Sequence, residues 1–416
     1  MKDENGCKTD EEFKTRKETG ADHETEKEND SSTAIPTSLP FRLPPRLFDA
    51  NDSVVLHCID CHAGGEPARI VLAGLPELPL PPSSSALEKR NYMMDHMDHY
   101  RQLLLLEPRG YPCQNADFVF FPSEEKDAQQ DGSAPPSNNI QYVIAEHNKI
   151  YPLMSGHNTI CVATALWECG LLKGDEAVLE APSGPIRVKA TWQEDRGVAS
   201  ITLINTAPAF VERLDVVVDV PEPIGPVTVD IAYGGMWYAI VDIAQFDDDD
   251  DNNMTLDATT HGRELCSIGE RIKVACREQH PVQHPTEDYP GVDILAFRDS
   301  KTDTNAVIMS NHNRLDWNDP STWTAMIDRS PCGTGTCAIM ATLHARGLLQ
   351  VGDRFVHTSI IGSQFIGTIV EETTLEDGRP AIIPQIEGSA CITQYSQVVV
   401  DPSDPFPKGF RVGDIW

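Results

Sequence analysis

A chain of 416 residues can bury a substantial core, and its length favours two or more domains. A formal charge of −31 argues against a nucleic-acid partner, because phosphate binding needs clustered Lys and Arg. No apolar run approaches the roughly 18 residues of a membrane span, no secretory hydrophobic region opens the chain, and eleven cysteines without framework spacing fit free thiols in a reducing compartment, so a cytoplasmic location is expected.

Residues 1–30 hold eleven acids against six bases and almost no large apolar side chain, which reads as a disordered tail. Prolines 36, 40, 44 and 45 make 31–50 a linker into the folded part. Val54 to Asp60 reads as a first strand, and His62-Ala63-Gly64-Gly65-Glu66-Pro67 as a glycine-rich turn into a second. Cys58-Ile59-Asp60-Cys61-His62 has the form of a haem-attachment motif. That reading needs an exported protein and sits badly on a strand, and zinc lacks further ligands nearby.

Residues 80–100 are expected to form a helical or irregular insertion on the surface, and 123–139 a polar surface loop. Strands are expected at Asp117 to Phe121 and Tyr142 to Ala145, then Ala177 to Leu179, Ile186 to Ala190, Ala199 to Leu203 and Leu214 to Val218. A composition break at Pro221 to Pro226 separates the halves. The second half restarts with strands at Val227 to Ala232 and Tyr238 to Asp242, parted by Tyr233-Gly234-Gly235-Met236. The aspartates 247–251 read as a solvated loop without the spaced ligands of a calcium site. A helix follows near 262–277, then strands at Asp293 to Phe297, Ala306 to Ser310, Gln364 to Val370 and Gln397 to Val400.

Two segments organise this pattern. Residues 155–172 and 332–349 align without a gap and match at Gly156/Gly333, Thr159/Thr336, Leu166/Leu343, Gly170/Gly347, Leu171/Leu348 and Leu172/Leu349. Each is a glycine loop opening a helix that stops at Gly-Leu-Leu, with Ser155 and Cys332 at the mouths. The fold expected is α+β: two pseudo-symmetric lobes, each a curled β-sheet around a central helix. The boundaries expected are a tail and linker at 1–50, an N-terminal lobe at 51–220 and a C-terminal lobe at 221–385.

Two helix N-termini facing each other would gather unpaired N–H groups around a small anion such as a substrate carboxylate. The same field lowers a thiol's pKa, which would make Cys332 a thiolate near neutral pH. A thiolate beside a fixed carboxylate suits proton removal from the carbon that bears it. Two groups on opposite faces would invert that carbon, and one base alone would permit elimination of a neighbouring hydroxyl. Cys161 and Cys337 lie further along the same helices and read as core. His157 either donates to a substrate or caps its turn, and Asp328 pairs either with a substrate amine or with Arg329.

These residues resemble the proline racemase family from about residue 52 to the C-terminus. The likeness rests on His62-Ala63-Gly64-Gly65-Glu66-Pro67-Ala68-Arg69, Glu107-Pro108-Arg109-Gly110, Met154-Ser155-Gly156-His157-Asn158-Thr159-Ile160, Asp328-Arg329-Ser330-Pro331-Cys332-Gly333-Thr334-Gly335-Thr336, Ser359-Ile360-Ile361-Gly362-Ser363-Gln364-Phe365 and Asp401-Pro402-Ser403-Asp404-Pro405. The resemblance implies a diaminopimelate epimerase-like fold, no cofactor and no metal, and an imino-acid substrate in the cleft between the lobes. It also implies that 386–416 returns to complete the first lobe. It places the acid/base pair at Ser155 and Cys332, and substrate binding at Gly156, His157, Asp328, Gly333 and Thr334. Homodimers occur in the family, and nothing in the chain itself specifies one.

Ser155 departs from the two-cysteine pattern of the racemases and epimerases. A hydroxyl is a far weaker acid than a thiol, so the expectation is dehydration of trans-3-hydroxy-L-proline to Δ1-pyrroline-2-carboxylate with Cys332 as base. The alternatives are a 4-hydroxyproline 2-epimerase or a proline racemase, and, from another class, an imino-acid binding protein without turnover.

Overall fold

The computed structural model describes residues 55–122 and 140–413, apart from 196, 205–206, 247–253, 288, 312–313 and 402. The acidic tail and linker, the 123–139 loop and the aspartates 247–251 lie outside the described residues.

In the first lobe β1 (Val55–Ala63) and β2 (Glu66–Ala73) form an antiparallel hairpin. β3 (Asn115–Phe120) runs parallel to β2, β4 (Ile140–Glu146) antiparallel to β3, and β5 (Glu176–Ala181) parallel to β4. β6 (Gly184–Gln193) and β7 (Gly197–Ile204) continue antiparallel. The parallel steps require crossovers. Helices α1 (Ala86–His96) and α2 (Asp98–Leu105) make the first, and α3 (Gly156–Glu168) the second.

The second lobe repeats this order. β8 (Ala209–Val220) and β9 (Gly225–Tyr233) form a hairpin, β10 (Trp237–Asp242) is antiparallel to β9, and β11 (Ile294–Asp299) is parallel to β10. β12 (Thr304–Ser310) is antiparallel to β11 and holds the short β13 (Ala325–Ile327) on its edge. β14 (Arg354–Ser359) is parallel to β12, and β15 (Gln364–Thr374) and β16 (Pro380–Gly388) follow antiparallel. Helix α4 (Gly262–Gln279) fills the first crossover and α5 (Gly333–Ala345) the second. The protein is thus two pseudo-symmetric α+β lobes, each a curled sheet around a central helix.

The strand β17 (Ala390–Val399) pairs antiparallel with β1, from Val55↔Val399 to Ala63↔Ala390. In the second lobe β8 takes the same place beside β9. Two expectations change with this equivalence. Pro221 to Pro226 spans the hairpin turn between β8 and β9 and the first residues of β9, and both strands line one core through Phe210, Val218, Val227 and Val229. The composition break therefore falls inside a hairpin and not between lobes. Strand β16 bridges the halves, pairing with β7 at Gln385↔Ile204 and with β8 at Ala381↔Phe210.

The second change concerns residues 80–100, expected as a surface addition. They begin α1 and α2, which occupy in the first lobe the crossover that α4 occupies in the second. Met93, Met97, Tyr100, Leu103, Leu104 and Leu105 pack a core of their own against Leu56, Phe118 and Val143. Each sheet is consequently covered on both faces, outside by α1–α2 or by α4 and inside by α3 or α5. Two-sided cover explains why so many strands read as continuous apolar runs. It also explains α3 and α5, in which nearly every position is buried. Cys161 and Cys337 belong to that inner core, as expected. Cys58 faces the outer core and Cys61 the inner one, so the pair points to opposite faces of β1.

Among the described residues no helix is long and apolar enough to cross a membrane.

Candidate active site

The N-termini of α3 and α5 meet. A methyl carbon added to Gly156 would lie 3.0 Å from the Cα of Gly333, and one added to Gly333 would lie 3.0 Å from the Cα of Gly156. Only glycine permits that approach. Ser155 and Cys332 are the N-cap residues of the two helices, and neither side chain caps its own helix. Both are therefore free for other work. The backbone N–H groups of Gly156, His157, Gly333 and Thr334 fall in the first turns, where no carbonyl of the same helix can reach them. The structure thus brings every one of the expected site positions except Asp328 to a single junction of two positive helix ends.

Beneath the junction the two lobes repeat one device. Thr159 Oγ1 donates to the Ser155 carbonyl (2.7 Å) and accepts from Tyr142 OH (2.6 Å). Thr336 Oγ1 donates to the Cys332 carbonyl (2.8 Å) and accepts from His357 Nδ1 (2.8 Å). Each threonine fixes the residue at the mouth of its helix through the backbone. Burial pushes His357 down to about 3, so it is neutral and serves as a donor on one nitrogen.

The Ser155 side is built by donors. Asn115 on β3 gives its amide N–H to His157 Nε2 (3.0 Å), which leaves the proton of the neutral imidazole on Nδ1. Nδ1–H then reaches Ser155 Oγ at 3.2 Å, and Asn158 Nδ2 donates to the same oxygen at 3.1 Å. Burial holds His157 at about 3, well below the usual imidazole range. Beside the two roles expected for His157, its side chain has a third: it orients and polarises Ser155. With two donors on Oγ, the hydroxyl proton is directed away from His157 and Asn158.

The Cys332 side differs. Cys332 has φ +63°, a conformation that costs a non-glycine residue about 1–3 kcal/mol and concentrates at functional sites. Its N–H donates to Ser330 Oγ (3.0 Å), and Asn305 Nδ2 holds the Pro331 carbonyl (2.8 Å). Sγ lies 3.2 Å from Tyr238 OH and 3.8 Å from Thr334 Oγ1. The expected low thiol pKa is not what this environment produces. Burial pushes the Cys332 thiol up, and the nearby Asp328 pushes it further; the hydroxyls of Tyr238 and Thr334 only partly oppose them. Desolvation outweighs the helix field here.

Asp328 is buried at the end of β13 and accepts from the Ser330 N–H (2.7 Å). It is not paired with Arg329, whose guanidinium donates to the Ile327 carbonyl and whose N–H donates to Glu66 Oε2 (2.7 Å). Burial raises the Asp328 carboxyl. Glu66 is likewise raised, by burial and then by Asp328, and Glu146 is pushed up to about 7 by the same two causes. Asp328 is thus the acidic group of the Cys332 loop, set among two further carboxyls, where a cationic amine would relieve the crowding. Glu66, Glu146, Asn115 and Tyr238 were not singled out from the sequence. The signal for Glu66 lay in the glycine turn, since Ser363 Oγ donates to the Gly64 carbonyl and binds that turn to the second lobe.

The chain matches the family model described as proline racemase over residues 58–411. It is 36% identical over 361 residues to the 4-hydroxyproline 2-epimerase of Streptosporangium roseum, covering 86% of this chain and 98% of that protein. It is 34% identical over 381 residues to proline racemase A of Trypanosoma cruzi, covering 85% and 81% respectively. The crystal structure of a hydroxyproline epimerase from Agrobacterium vitis, with bound trans-4-hydroxy-L-proline, superposes with a TM-score of 0.70 at 31% identity, covering 87% of this chain and 97% of that one. The abutting helix ends, the strained cysteine and these likenesses lead to one assignment: this chain belongs to the proline racemase family of enzymes.

Proposed function

We propose that this protein inverts the α-carbon of a pyrrolidine-2-carboxylate, with 4-hydroxyproline as its substrate. The observation that carries the reading is the pair of N–H donors on Ser155 Oγ, from His157 Nδ1 and Asn158 Nδ2. Two donors would stabilise the alkoxide left when Ser155 gives up its proton, which offsets the weak acidity of a hydroxyl. The relatives named as 4-hydroxyproline epimerases support the same choice of substrate.

In this mechanism the helix-end N–H groups of Gly156, His157, Gly333 and Thr334 hold the substrate carboxylate, and Asp328 accepts from the ring amine. The Cys332 thiolate takes the Cα proton from one face while Ser155 delivers its own to the other. The product leaves a thiol and an alkoxide, which is the state that runs the reaction backwards. Holding the ring between two fixed groups supplies the proximity such proton transfers need.

Dehydration of trans-3-hydroxy-L-proline is the second reading, favoured by one feature: the two mouths carry acids of unequal strength, Ser155 and Cys332. The test is to incubate 4-hydroxyproline and 3-hydroxyproline isomers with enzyme in D2O and follow them by NMR. α-Deuterated epimer from the 4-hydroxy substrate, with no loss of water from either, is the expected result. Pyrroline product from the 3-hydroxy substrate, without epimer from the other, overturns it.

A further inference from the structure

The turn Tyr233-Gly234-Gly235-Met236 joins β9 to β10 with two adjacent glycines. A methyl carbon on Gly234 would lie 2.2 Å from the Thr334 carbonyl oxygen and 2.4 Å from the Ala338 nitrogen. One on Gly235 would lie 2.9 Å from Thr334 Cγ2. The two glycines therefore let the β9–β10 hairpin lie directly on the first turn of α5. What that approach delivers is Tyr238, the second residue of β10.

Tyr238 is fully buried, and a buried phenol needs a polar partner. Its hydroxyl lies 3.2 Å from Cys332 Sγ and 2.6 Å from Thr334 Oγ1. Both partners are side chains of the site, and among the described residues no backbone carbonyl takes the bond. We propose that Tyr238 is a catalytic residue, whose hydroxyl donates to Cys332 Sγ when that sulfur carries the negative charge and hands its other bond to Thr334.

The protons balance without the phenol ionising. In the thiol form S–H donates to the phenol oxygen, and the phenol O–H donates to Thr334 Oγ1. When the thiol proton has left, the phenol O–H turns to sulfur and the Thr334 hydroxyl donates to the phenol oxygen. Burial and the adjacent Cys332 hold the phenol far above its ordinary range, so it stays protonated throughout. A hydrogen bond to a charged acceptor is roughly twice as strong as a neutral one, so the bond favours the thiolate over the thiol. Of the two hydroxyls beside the sulfur, Tyr238 at 3.2 Å is nearer than Thr334 at 3.8 Å and opposes burial and Asp328 more strongly.

The inference rests on Cys332 being the reacting group, but its test does not need turnover. The pH dependence of Cys332 alkylation by iodoacetamide is measured by mass spectrometry on the full, substrate-free chain and on Tyr238→Phe. The expected result is a midpoint about one pH unit higher in the variant, and so about tenfold slower alkylation at any pH below it. kcat falls by a similar factor with KM little changed, and the melting temperature moves by a few degrees at most. Superposed alkylation curves overturn the proposal, whether or not turnover is lost. Should Tyr238→Phe fail to fold, Tyr238→Met is read in the same way. A parent enzyme that alkylates at Cys332 but turns over no imino acid would refute the function above and leave the Tyr238 comparison intact.

Discussion

Gly156 and Gly333 touch backbone to backbone at the N-termini of α3 and α5, with room for no side-chain carbon on either. This contact sets the separation of Ser155 and Cys332, each one residue before its glycine. Gly156→Ala or Gly333→Ala must push the helix ends apart by a few tenths of an ångström or more. Because misplacement of that order is costly in proton transfer, kcat/KM should fall on the order of a hundredfold. The far-ultraviolet circular dichroism should be unchanged. Near-parental activity in both variants would show that the contact does not position the pair.

The pH profile follows from the raised thiol. Cys332 acts as base only when deprotonated, and burial with Asp328 keeps it protonated at neutral pH. The thiolate fraction then rises about tenfold per pH unit below its pKa, and kcat/KM with it. Forward and reverse reactions start from the same singly deprotonated pair, so both directions should rise together between about pH 6 and 8.5. A flat or falling profile over that range would contradict the assignment of Cys332.

Glu66 ties the first lobe to the loop bearing Asp328, by accepting the Arg329 N–H at 2.7 Å. Glu66→Gln keeps an acceptor oxygen and should leave KM within about twofold. Glu66→Ala leaves a part-buried N–H without its acceptor, at a cost of about 1 kcal/mol, and releases Asp328. Its KM should rise more than its kcat falls. Indistinguishable KM values for the two variants would mean that the bond does not act on the binding of the amine.

Asp117 on β3 is fully buried, and neither carboxyl oxygen has a hydrogen-bond partner among the described residues. Burial raises its pKa well above the carboxylate range. The native state therefore keeps a proton that the unfolded chain releases above about pH 3.9. The contribution of Asp117 to stability is greatest below that pH and is lost as pH rises toward the native pKa. Asp117→Asn removes this dependence. Its melting temperature should match the parent near pH 4 and exceed it increasingly toward pH 8; a constant difference would show that ionisation is not involved.

Local chemistry made half of this protein legible from its residues. The two glycine-opened helices read directly because their features are short-range: small residues at the mouth, an apolar run, and a stop at Gly170 and Gly347, which both take positive φ. Ser85 with Glu88, a capping box, equally marks the start of α1, although prolines and serines around it obscure the signal. The mouth residues Ser155 and Cys332, the flanking N–H groups and the pairing of the lobes were likewise in reach of a sequence reading. What lay beyond it depends on partners distant along the chain. Tyr238 meets Cys332 across 94 residues, and Glu66 meets Arg329 across 263. The proton affinity of Cys332 departs from the expected one for the same reason. A helix N-terminus is a local field that sequence spacing reveals, whereas desolvation and the neighbouring Asp328 exist only once both lobes have closed around the sulfur.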